Sequence, residues 1–363
     1  MADFAITRRP DRSGRQFLII IMNNTQQKII AIVGPTASGK TAVGVRLAKE
    51  LNGEIVSADS RQVFRGLDLG TGKDLSEYDG IPYHMIDIKK PGDKFTLFDY
   101  LPLARAAIED IFSRGKVPII VGGTGLYIQA LTEGFQLKSI SNDEFLISNQ
   151  IPNNNDKILS RIKLDNLTVE QLQKILKDLD IEAYNSLADK KNPHRLIRAI
   201  ERAQEGLVTN KVKPDFEVLQ IGIDWSREIL NSRIDKRVED RFEAGMLEET
   251  IGLLSSGIDN DWFLSLGLEY RIMTGFLISN YLPADASHQT MQAGEFLISN
   301  KISKSQLQNV KNSNEFFGMK ENLKIKSHQY AKRQMTWYKR FPEIKWENDY
   351  ENIENQAIKF LKN

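Results

Sequence analysis

Cysteine is absent from this chain of 363 residues. Its absence excludes disulfide scaffolds, thiol catalysis and zinc or iron–sulfur sites that depend on thiolate ligands. Histidine is almost as scarce, and a histidine-rich metal site is not expected because the four histidines are scattered along the chain. They are His84, His194, His288 and His328.

Long apolar runs are missing as well, since no stretch approaches the roughly 20 residues needed to span a bilayer. The hydrophobic block near the start, residues 17–22 (FLIIIM), is shorter than the apolar core of a secretory signal peptide. Neither a membrane partner nor an export signal is therefore expected. We interpret residues 1–27 as a disordered leader.

The chain also lacks an excess of either charge. Lys and Arg together number 49 and Asp and Glu 48, which gives a formal net charge of +1. This balance does not exclude a nucleic-acid partner, because a neutral chain can still carry a local basic face. The hydrophobic fraction of 41% and the charged fraction of 27% are those of an ordinary globular protein.

Short apolar runs alternate with helical spacing through the first third of the chain. Residues 28–33, 54–56 and 117–121 are predicted to be buried strands, and residues 41–51 and 97–114 to be helices. This alternation predicts an α/β fold with a parallel sheet flanked by helices. Further helices are predicted within three later segments. These are residues 157–205, 226–256 and 325–340.

The same patterns suggest how the chain is divided. We expect an α/β core over 28–140, a helix-rich insertion over 141–215 and a return to the core with C-terminal helices over 216–345. Residues 346–363 are expected to be a tail. An inserted loop is expected at about 272–323, because the pentapeptide FLISN recurs at uneven intervals. Its three copies, at 145–149, 276–280 and 296–300, are interpreted as duplicated surface loops, so deletion of 276–295 should leave activity largely intact.

A glycine-rich loop follows the first predicted strand and matches the pattern G-x-x-x-x-G-K-[ST]. Such a loop cradles a phosphate chain with its backbone N–H groups, and the following helix adds partial positive charge. The lysine supplies a point charge for the phosphates, and the last residue, Thr41, has a hydroxyl that can ligate Mg²⁺. The loop consists of Gly34, Pro35, Thr36, Ala37, Ser38, Gly39, Lys40 and Thr41.

A second polar segment is predicted to face this loop. Asp59 follows the second strand and Thr124 follows the strand at 117–121, and in an open α/β sheet the carboxyl ends of parallel strands share one edge. The third strand carries no acidic residue of the kind that holds Mg²⁺ in nucleotide hydrolases. The residues therefore favour transfer between two small substrates. A small-molecule kinase and an enzyme that releases pyrophosphate both remain possible at this point.

Seven blocks taken together resemble the tRNA dimethylallyltransferases, also called isopentenyl-tRNA transferases. The blocks occur in the order of that family and cover most of residues 28–345. They are GPTASGKT at 34–41, SADSRQVFRGLDLGTGK at 57–73, GGTGLY at 122–127, NPHRLIRAIE at 192–201, RVEDRFEAGMLEE at 237–249, SLGLEYR at 265–271 and QYAKRQMTWYKR at 329–340.

The resemblance implies a P-loop NTPase-like core and a specific reaction. The dimethylallyl group of dimethylallyl diphosphate would move to N6 of the adenosine that follows the anticodon of a tRNA, with Mg²⁺ assisting and diphosphate leaving. Asp59 looks like the general base, Thr124 like a residue beside the reacting base, and Arg237 like a further substrate contact. The resemblance also implies a cytoplasmic protein, and we expect a monomer.

By the same resemblance, three groups of residues would contact the anticodon stem-loop. The helix-rich insertion would contribute one of them, although spacing alone would favour a solvated helix face for its two arginines. The C-terminal basic segment 324–340 would contribute another. The expected contacts are Asp59, Ser60, Arg61, Gln62 and Thr124; His194, Arg195, Leu196, Ile197 and Arg198; and Lys332 and Arg333.

The chain departs from the family pattern in two places. The stretch after Gly134 does not lead directly into an acidic helix, and the segment between Arg271 and His328 is longer than the pattern suggests. Three alternatives therefore stay open: a P-loop kinase for a small metabolite, an isopentenyltransferase that acts on free AMP or ADP, and an RNA-binding protein that has lost catalysis.

Overall fold

The computed structural model describes residues 6–10, 16–20, 27–139, 164, 166–204, 207–212, 214–281 and 304–363. Two compact units make up the chain. The first comprises Met1–Thr132 and Pro214–Asn363, and the second comprises Glu133–Lys213. In the described part of the chain, no helix combines the length and the apolar composition that a membrane crossing requires.

The described strands and helices follow the predicted alternation in the first third of the chain. The strands are β1 (Ile6–Pro10), β2 (Gln16–Ile20), β3 (Gln27–Val33), β4 (Gly53–Ser57), β5 (Tyr83–His84), β6 (Val117–Gly122), β7 (Phe135–Ser139), β8 (Leu207–Lys211), β9 (Phe216–Gly222) and β10 (Lys345–Trp346). The helices are α1 (Lys40–Glu50), α2 (Leu97–Ser113), α3 (Gly125–Thr132), α4 (Val169–Leu179), α5 (Ile181–Ser186), α6 (Pro193–Gln204), α7 (Arg227–Glu243), α8 (Met246–Leu254), α9 (Asn260–Leu266), α10 (Leu268–Tyr281), α11 (Lys304–Lys311), α12 (Asn314–Tyr338) and α13 (Tyr350–Lys362).

A six-stranded sheet forms the centre of the first unit. Its order is β10-β9-β3-β6-β4-β5, and every pairing in it is parallel. Val33 at the end of β3 pairs with Gly122 on one side and Gly222 on the other, and Ser57 pairs with Val121. The carboxyl ends of four strands therefore share one edge of the sheet. The predicted α/β fold with a helix-flanked parallel sheet is confirmed.

Two apolar cores stabilise the first unit. One lies on the sheet, where Leu47 of α1 and Ile353 of α13 pack with strand residues such as Ile30. The other lies among α7 to α12, where Phe242 and Phe316 meet edge to face with ring centroids 5.3 Å apart. This second core fixes α7 against α12, and both helices contribute side chains to the site described below.

The second unit consists of α4, α5 and α6 and the antiparallel pair β7–β8. The capping box at Thr168 starts α4, because the Thr168 side chain accepts from the Gln171 N–H while the Gln171 side chain bonds back to the Thr168 N–H. Leu172 and Leu176 of α4 pack with Leu196 of α6 in a separate apolar core.

Two expectations about the ends of the chain are wrong in the described residues. Within the expected disordered leader, β1 and β2 form an antiparallel pair. The expected tail at 346–363 forms α13, whose buried residues Ile353, Ala357 and Leu361 recur every fourth position and face the sheet. This spacing is that of an amphipathic helix, so the signal was present in the sequence.

The expected inserted loop at 272–323 is also wrong where the structure describes it. The FLISN copy at 276–280 belongs to α10, and its first two residues, Phe276 and Leu277, are buried in the core of α7 to α12. The opposite end of the segment forms α11 and the start of α12. The copies at 145–149 and 296–300 lie outside the described residues.

Deletion of 276–295 is therefore expected to destabilise the protein, and a single substitution tests the reason. Leu277 is 1% exposed, so Leu277→Ala should lower the free energy of unfolding by about 2–5 kcal/mol, the usual result of a buried leucine truncation. Urea unfolding followed by circular dichroism measures it. The exposed neighbour Ser279 is not buried in the core, and an equal loss in Ser279→Ala would contradict the assignment.

Candidate active site

The glycine-rich loop joins β3 to α1 at the carboxyl edge of the sheet. Ala37 and Gly39 have φ angles of 60° and 88°, in the left-handed region that a tight loop requires. Gly39 is the N-cap of α1, and among the described residues no side chain caps this end of the helix. The first N–H groups of α1 and the positive end of its dipole are therefore available to an anion.

This loop lines a pocket of about 550 Å³, which is rich in charge. The three shortest ion pairs within its lining are Arg61–Glu269 at 2.6 Å, Arg237–Asp74 at 2.8 Å and Lys236–Asp240 at 2.7 Å. The lining cations outside these pairs, Lys40, Arg233 and Arg241, outnumber the remaining lining acids, Asp59 and Glu77. The pocket is therefore suited to a multivalent anion.

Lys40 is the first residue of α1, and its Nζ donates a hydrogen bond of 3.0 Å to the carbonyl oxygen of Pro35. Burial, with a smaller contribution from the nearby Arg237 guanidinium, lowers the pKa of Lys40 to about 8. The ammonium is thus mostly charged at neutral pH. An anion bound beside it would favour the charged form and raise this pKa.

This lowered pKa predicts how anion binding depends on pH. Because Lys40 loses its proton as the pH rises through about 8, the apparent Kd for inorganic pyrophosphate should rise about tenfold between pH 7 and pH 9. Isothermal titration calorimetry at several pH values measures it. In Lys40→Arg the side chain stays charged while the ligand ionises as before, so the rise should largely disappear. An identical rise in this variant would show that Lys40 is not the group responsible.

Hydrogen bonds within the predicted segment after β4 and to two neighbouring loops hold it in place. Asp59 Oδ1 accepts a hydrogen bond of 2.9 Å from the Arg61 N–H, and the Ser60 N–H donates to Thr124 Oγ1 at 3.1 Å. Gln62 Nε2 donates to the carbonyl oxygen of Gly72 at 3.0 Å. These bonds direct Asp59, Arg61 and Gln62 into the pocket lining.

Helix α7 supplies the arginine that the sequence also predicted. The Ser226 hydroxyl caps α7 by accepting from the Ile229 N–H. Arg237 Nη1 then donates to Thr36 Oγ1 at 3.2 Å, and its Nη2 donates to Asp74 Oδ2 at 2.8 Å. One turn earlier, Arg233 Nε donates to the carbonyl oxygen of Ala37 at 2.8 Å. One face of α7 therefore lies along the glycine-rich loop.

The structure brings together most of the predicted site, though not all of it lines the pocket. The predicted residues that line it are Thr36, Ala37, Gly39, Lys40, Thr41, Asp59, Arg61, Gln62 and Arg237. The remaining predicted residues of the site are held nearby without being part of the lining. These are Gly34, Pro35, Ser38, Ser60 and Thr124.

The predicted RNA-contacting helix of the second unit is α6, and its residues differ in exposure. His194, Arg195 and Arg198 are exposed, whereas Leu196 and Ile197 are buried in the core of that unit. The expectation that the side chains of Leu196 and Ile197 contact tRNA is therefore wrong. Their spacing to Ala199 and Ile200 is that of the buried stripe of an amphipathic helix.

The basic segment of the first unit is the second half of α12. Lys332 and Arg333 are exposed, and the Arg333 guanidinium lies 5.8 Å from the ring centroid of Tyr330, which lines the pocket. Lys324 instead pairs with Glu239 of α7 at 2.7 Å. The segment therefore combines a paired lysine with exposed cations near the pocket.

Gln334, which was not predicted from the sequence, joins two loops of the site. Its Oε1 accepts from the Thr36 N–H at 2.8 Å, and its Nε2 donates to the carbonyl oxygen of Gly123 at 2.9 Å. Gln334 is 7% exposed, so both bonds lie away from water, where losing one is costly. Its one signal in the sequence was its position within the family-like block at 329–340, whose basic residues were the ones predicted to bind.

A group of charged residues that surrounds Gly72 was not predicted either. Glu269, from the start of α10, accepts from Arg61 Nη1 at 2.6 Å, and Arg241 lies one turn beyond Arg237 on α7. Gly72 has a φ of 63°, and a Cβ there would meet both Arg237 and Arg241. The four-residue spacing of the two arginines was the available signal.

Comparisons with known proteins place the chain in a family. The family model described as IPP transferase matches residues 62–341, and that described as isopentenyl transferase matches residues 27–79. The chain is 37% identical over 340 residues to "tRNA dimethylallyltransferase 2" of Shewanella sediminis, covering 92% of this chain and 97% of the relative. It is 38% identical over 344 residues to "tRNA dimethylallyltransferase 1" of Syntrophus aciditrophicus, covering 91% and 97%.

A solved structure shows the same fold. The full-length tRNA isopentenylpyrophosphate transferase from Bacillus halodurans matches with a TM-score of 0.62 and 30% identity, covering 93% of this chain and 97% of that one. The relatives are thus matched over nearly their whole length, and the two family models together span residues 27–341, the range that contains the pocket residues. The chain belongs to the IPP transferase family, which includes the tRNA dimethylallyltransferases.

Proposed function

We propose that this protein transfers the dimethylallyl group of dimethylallyl diphosphate to N6 of the adenosine 3′-adjacent to the anticodon in tRNA. One observation carries the proposal: a single pocket joins an anion-binding loop, with Lys40 and Arg237, to the carboxylate of Asp59. A transferase that releases diphosphate needs an anion site and a proton acceptor together. We further propose that the protein acts as a monomer, and we place the activity in the cytoplasm with its tRNA substrate.

The diphosphate of the donor would occupy the loop end of the pocket. Backbone N–H groups of the loop and the start of α1 would bind its oxygens, and Lys40 and Arg237 would neutralise its charge. These groups would stabilise the transition state most strongly as the bond to the dimethylallyl carbon breaks, because negative charge then grows on the leaving oxygen. The loop would thus bind the leaving group rather than the end of a nucleoside triphosphate.

Asp59 would act on the acceptor adenine rather than on the diphosphate. The adenine N6 lone pair forms the new C–N bond to the dimethylallyl carbon, the C–O bond to diphosphate breaks, and its electron pair leaves with the diphosphate. The amine must then lose a proton, and the Asp59 carboxylate would accept it. The Arg61 N–H holds Asp59 Oδ1 in place, and Thr124 would act as a positioning residue because it holds Ser60 next to Asp59.

Mg²⁺ fits this pocket as an ion bound largely by substrate. In the described residues no group of three or more His, Cys, Asp or Glu side chains could hold a metal ion. Mg²⁺ is commonly held by one or two protein ligands together with substrate phosphates and water. Thr41, which lines the pocket next to Lys40, would supply a hydroxyl ligand, and the ion would neutralise charge on the diphosphate.

The tRNA would be held by exposed cations, and its target base would have to leave the stacked anticodon loop to reach Asp59. In the first unit, Lys332 and Arg333 suit phosphate contacts. In the second unit, Arg195 and Arg198 suit the same role, and the exposed imidazole of His194 can add a hydrogen bond. Because such contacts release counterions, RNA binding should weaken steeply with added salt.

Mass spectrometry of a modified RNA tests the proposed function. An unmodified anticodon stem-loop with adenosine 3′ to the anticodon is incubated with the protein, dimethylallyl diphosphate and Mg²⁺, then digested to nucleosides. We expect one dimethylallyl group on that adenosine. A gain on AMP but not on RNA would identify free nucleotides as the acceptor, and ATP consumption without prenyl transfer would favour a small-molecule kinase.

A further inference from the structure

Arg241 is a buried cation of the pocket with little to neutralise it. It lies on α7 four residues after Arg237, so both guanidinium groups extend from the same face of the helix. Arg241 is 9% exposed and lines the pocket. Burial first, and then the neighbouring Arg237, lower the pKa of Arg241 to about 10, which still leaves the group charged at neutral pH.

The hydrogen-bonding capacity of Arg241 is largely unused. Among the residues that the structure describes, its Nε and Nη2 atoms are buried without a hydrogen-bond partner. Its closest ion pair, from Nη1 to Glu269 Oε1, is 3.9 Å long, and Glu269 Oε2 is already bonded to Arg61 at 2.6 Å. A buried guanidinium without acceptors is costly, so its retention here indicates a missing acceptor.

The backbone beneath Arg241 makes room for it. A Cβ atom at Gly72 would lie 1.5 Å from Arg241 Nη2 and 2.2 Å from Arg237 Nη2. The two guanidinium groups therefore lie together over the backbone of one glycine, although their like charges repel. Arg237 has acceptors in Thr36, Gly72 and Asp74, whereas the described part of the chain offers Arg241 the long contact to Glu269 and no acceptor for its Nε and Nη2.

We propose that Arg241 is a second diphosphate-binding arginine, which acts beside Arg237 and donates its free N–H groups to oxygens of the diphosphate. The inference rests on the proposed function, because it assigns a further contact to the same donor substrate. A planar guanidinium suits this task, since it can donate two parallel hydrogen bonds to one phosphate. The bound anion would supply the acceptors that Arg241 lacks and would separate the two like charges.

Arg241→Met tests this inference, because methionine keeps much of the side-chain length and removes the charge. Arg227→Met, at the exposed start of the same helix, is the matched control. Inorganic pyrophosphate is the probe, with its affinity measured by calorimetry and the melting temperature measured with and without it. In Arg241→Met we expect pyrophosphate affinity to fall roughly 10- to 100-fold, the loss of one or two charged hydrogen bonds. Without pyrophosphate its melting temperature should be unchanged or higher.

Two results would overturn the inference. If Arg241 only supports the loop around Gly72, Arg241→Met would melt at a lower temperature without ligand and would bind pyrophosphate within about twofold of the wild type. Failure of the wild-type protein to bind pyrophosphate would also overturn it. Failure to prenylate RNA is a separate result: it would contradict the proposed function, while the pyrophosphate measurement would still decide whether Arg241 binds the anion.

Discussion

Replacing Asp59 with asparagine is expected to lower kcat about 10³-fold and to change the KM for dimethylallyl diphosphate less than about threefold. Asparagine has nearly the same shape and can still accept the Arg61 N–H bond, but it cannot take a proton from the adenine amine. Loss of a general base typically costs 10²- to 10⁴-fold in rate, roughly the range expected here. Single-turnover prenylation of the stem-loop measures the chemical step directly.

The comparison variant for this test is Glu109→Gln on α2, which makes the same carboxylate-to-amide change at an exposed position outside the pocket. Its rate should match the wild type. Pyrophosphate binding should be nearly unchanged in Asp59→Asn, because the carboxylate would act at the opposite end of the reaction from the leaving group. A full rate in Asp59→Asn, or a loss confined to KM, would assign proton removal to another group.

Short apolar runs explain why most of the fold could be predicted from the sequence. Ile29 to Val33 in β3 and the run at 117–121 in β6 are buried on both faces of a parallel sheet, where strands are continuously apolar. The alternating strand β9, which pairs with β3, was missed because its sequence FEVLQIG mixes polar and apolar residues. The prediction that the FLISN copies are surface loops was wrong at 276–280 for a different reason. Repetition says nothing about burial, and Phe276 and Leu277 are core residues of a helix.

The candidate site was predictable from local pattern where its residues follow strands, whereas residues brought in by helices were missed or, like Arg237, were predicted only through the family resemblance. Asp59 and Thr124 each come shortly after a predicted strand, so sheet topology alone predicts that they share one edge. Gln334 contacts Thr36 across 298 positions of sequence. The packing of α12 creates that contact, and no local sequence pattern predicts it. The contact between Glu269 of α10 and Arg61 likewise joins residues far apart in the sequence.

Replacing Lys40 with methionine is the second large expected effect, with kcat/KM for dimethylallyl diphosphate falling about 10³-fold. Removing one preorganised charge that stabilises a leaving group costs about 10²- to 10³-fold in kcat, and weaker ground-state binding of the diphosphate adds to this. Stability should not fall with activity, because burial lowers the pKa of Lys40 and the charge is therefore unfavourable without an anion. Steady-state kinetics and the melting temperature measure the two effects.

Lys236→Met is the control within the same pocket, since Lys236 is also a lining lysine but is exposed and already paired with Asp240. Its kcat/KM should stay within about threefold, because an exposed ion pair contributes little. The two sites also differ in their binding signature: Lys40→Met should weaken pyrophosphate binding, whereas Asp59→Asn should not. If both substitutions weakened pyrophosphate binding equally, the leaving group and the proton acceptor would not lie at separate ends of the pocket, and the proposed orientation of the substrates would be wrong.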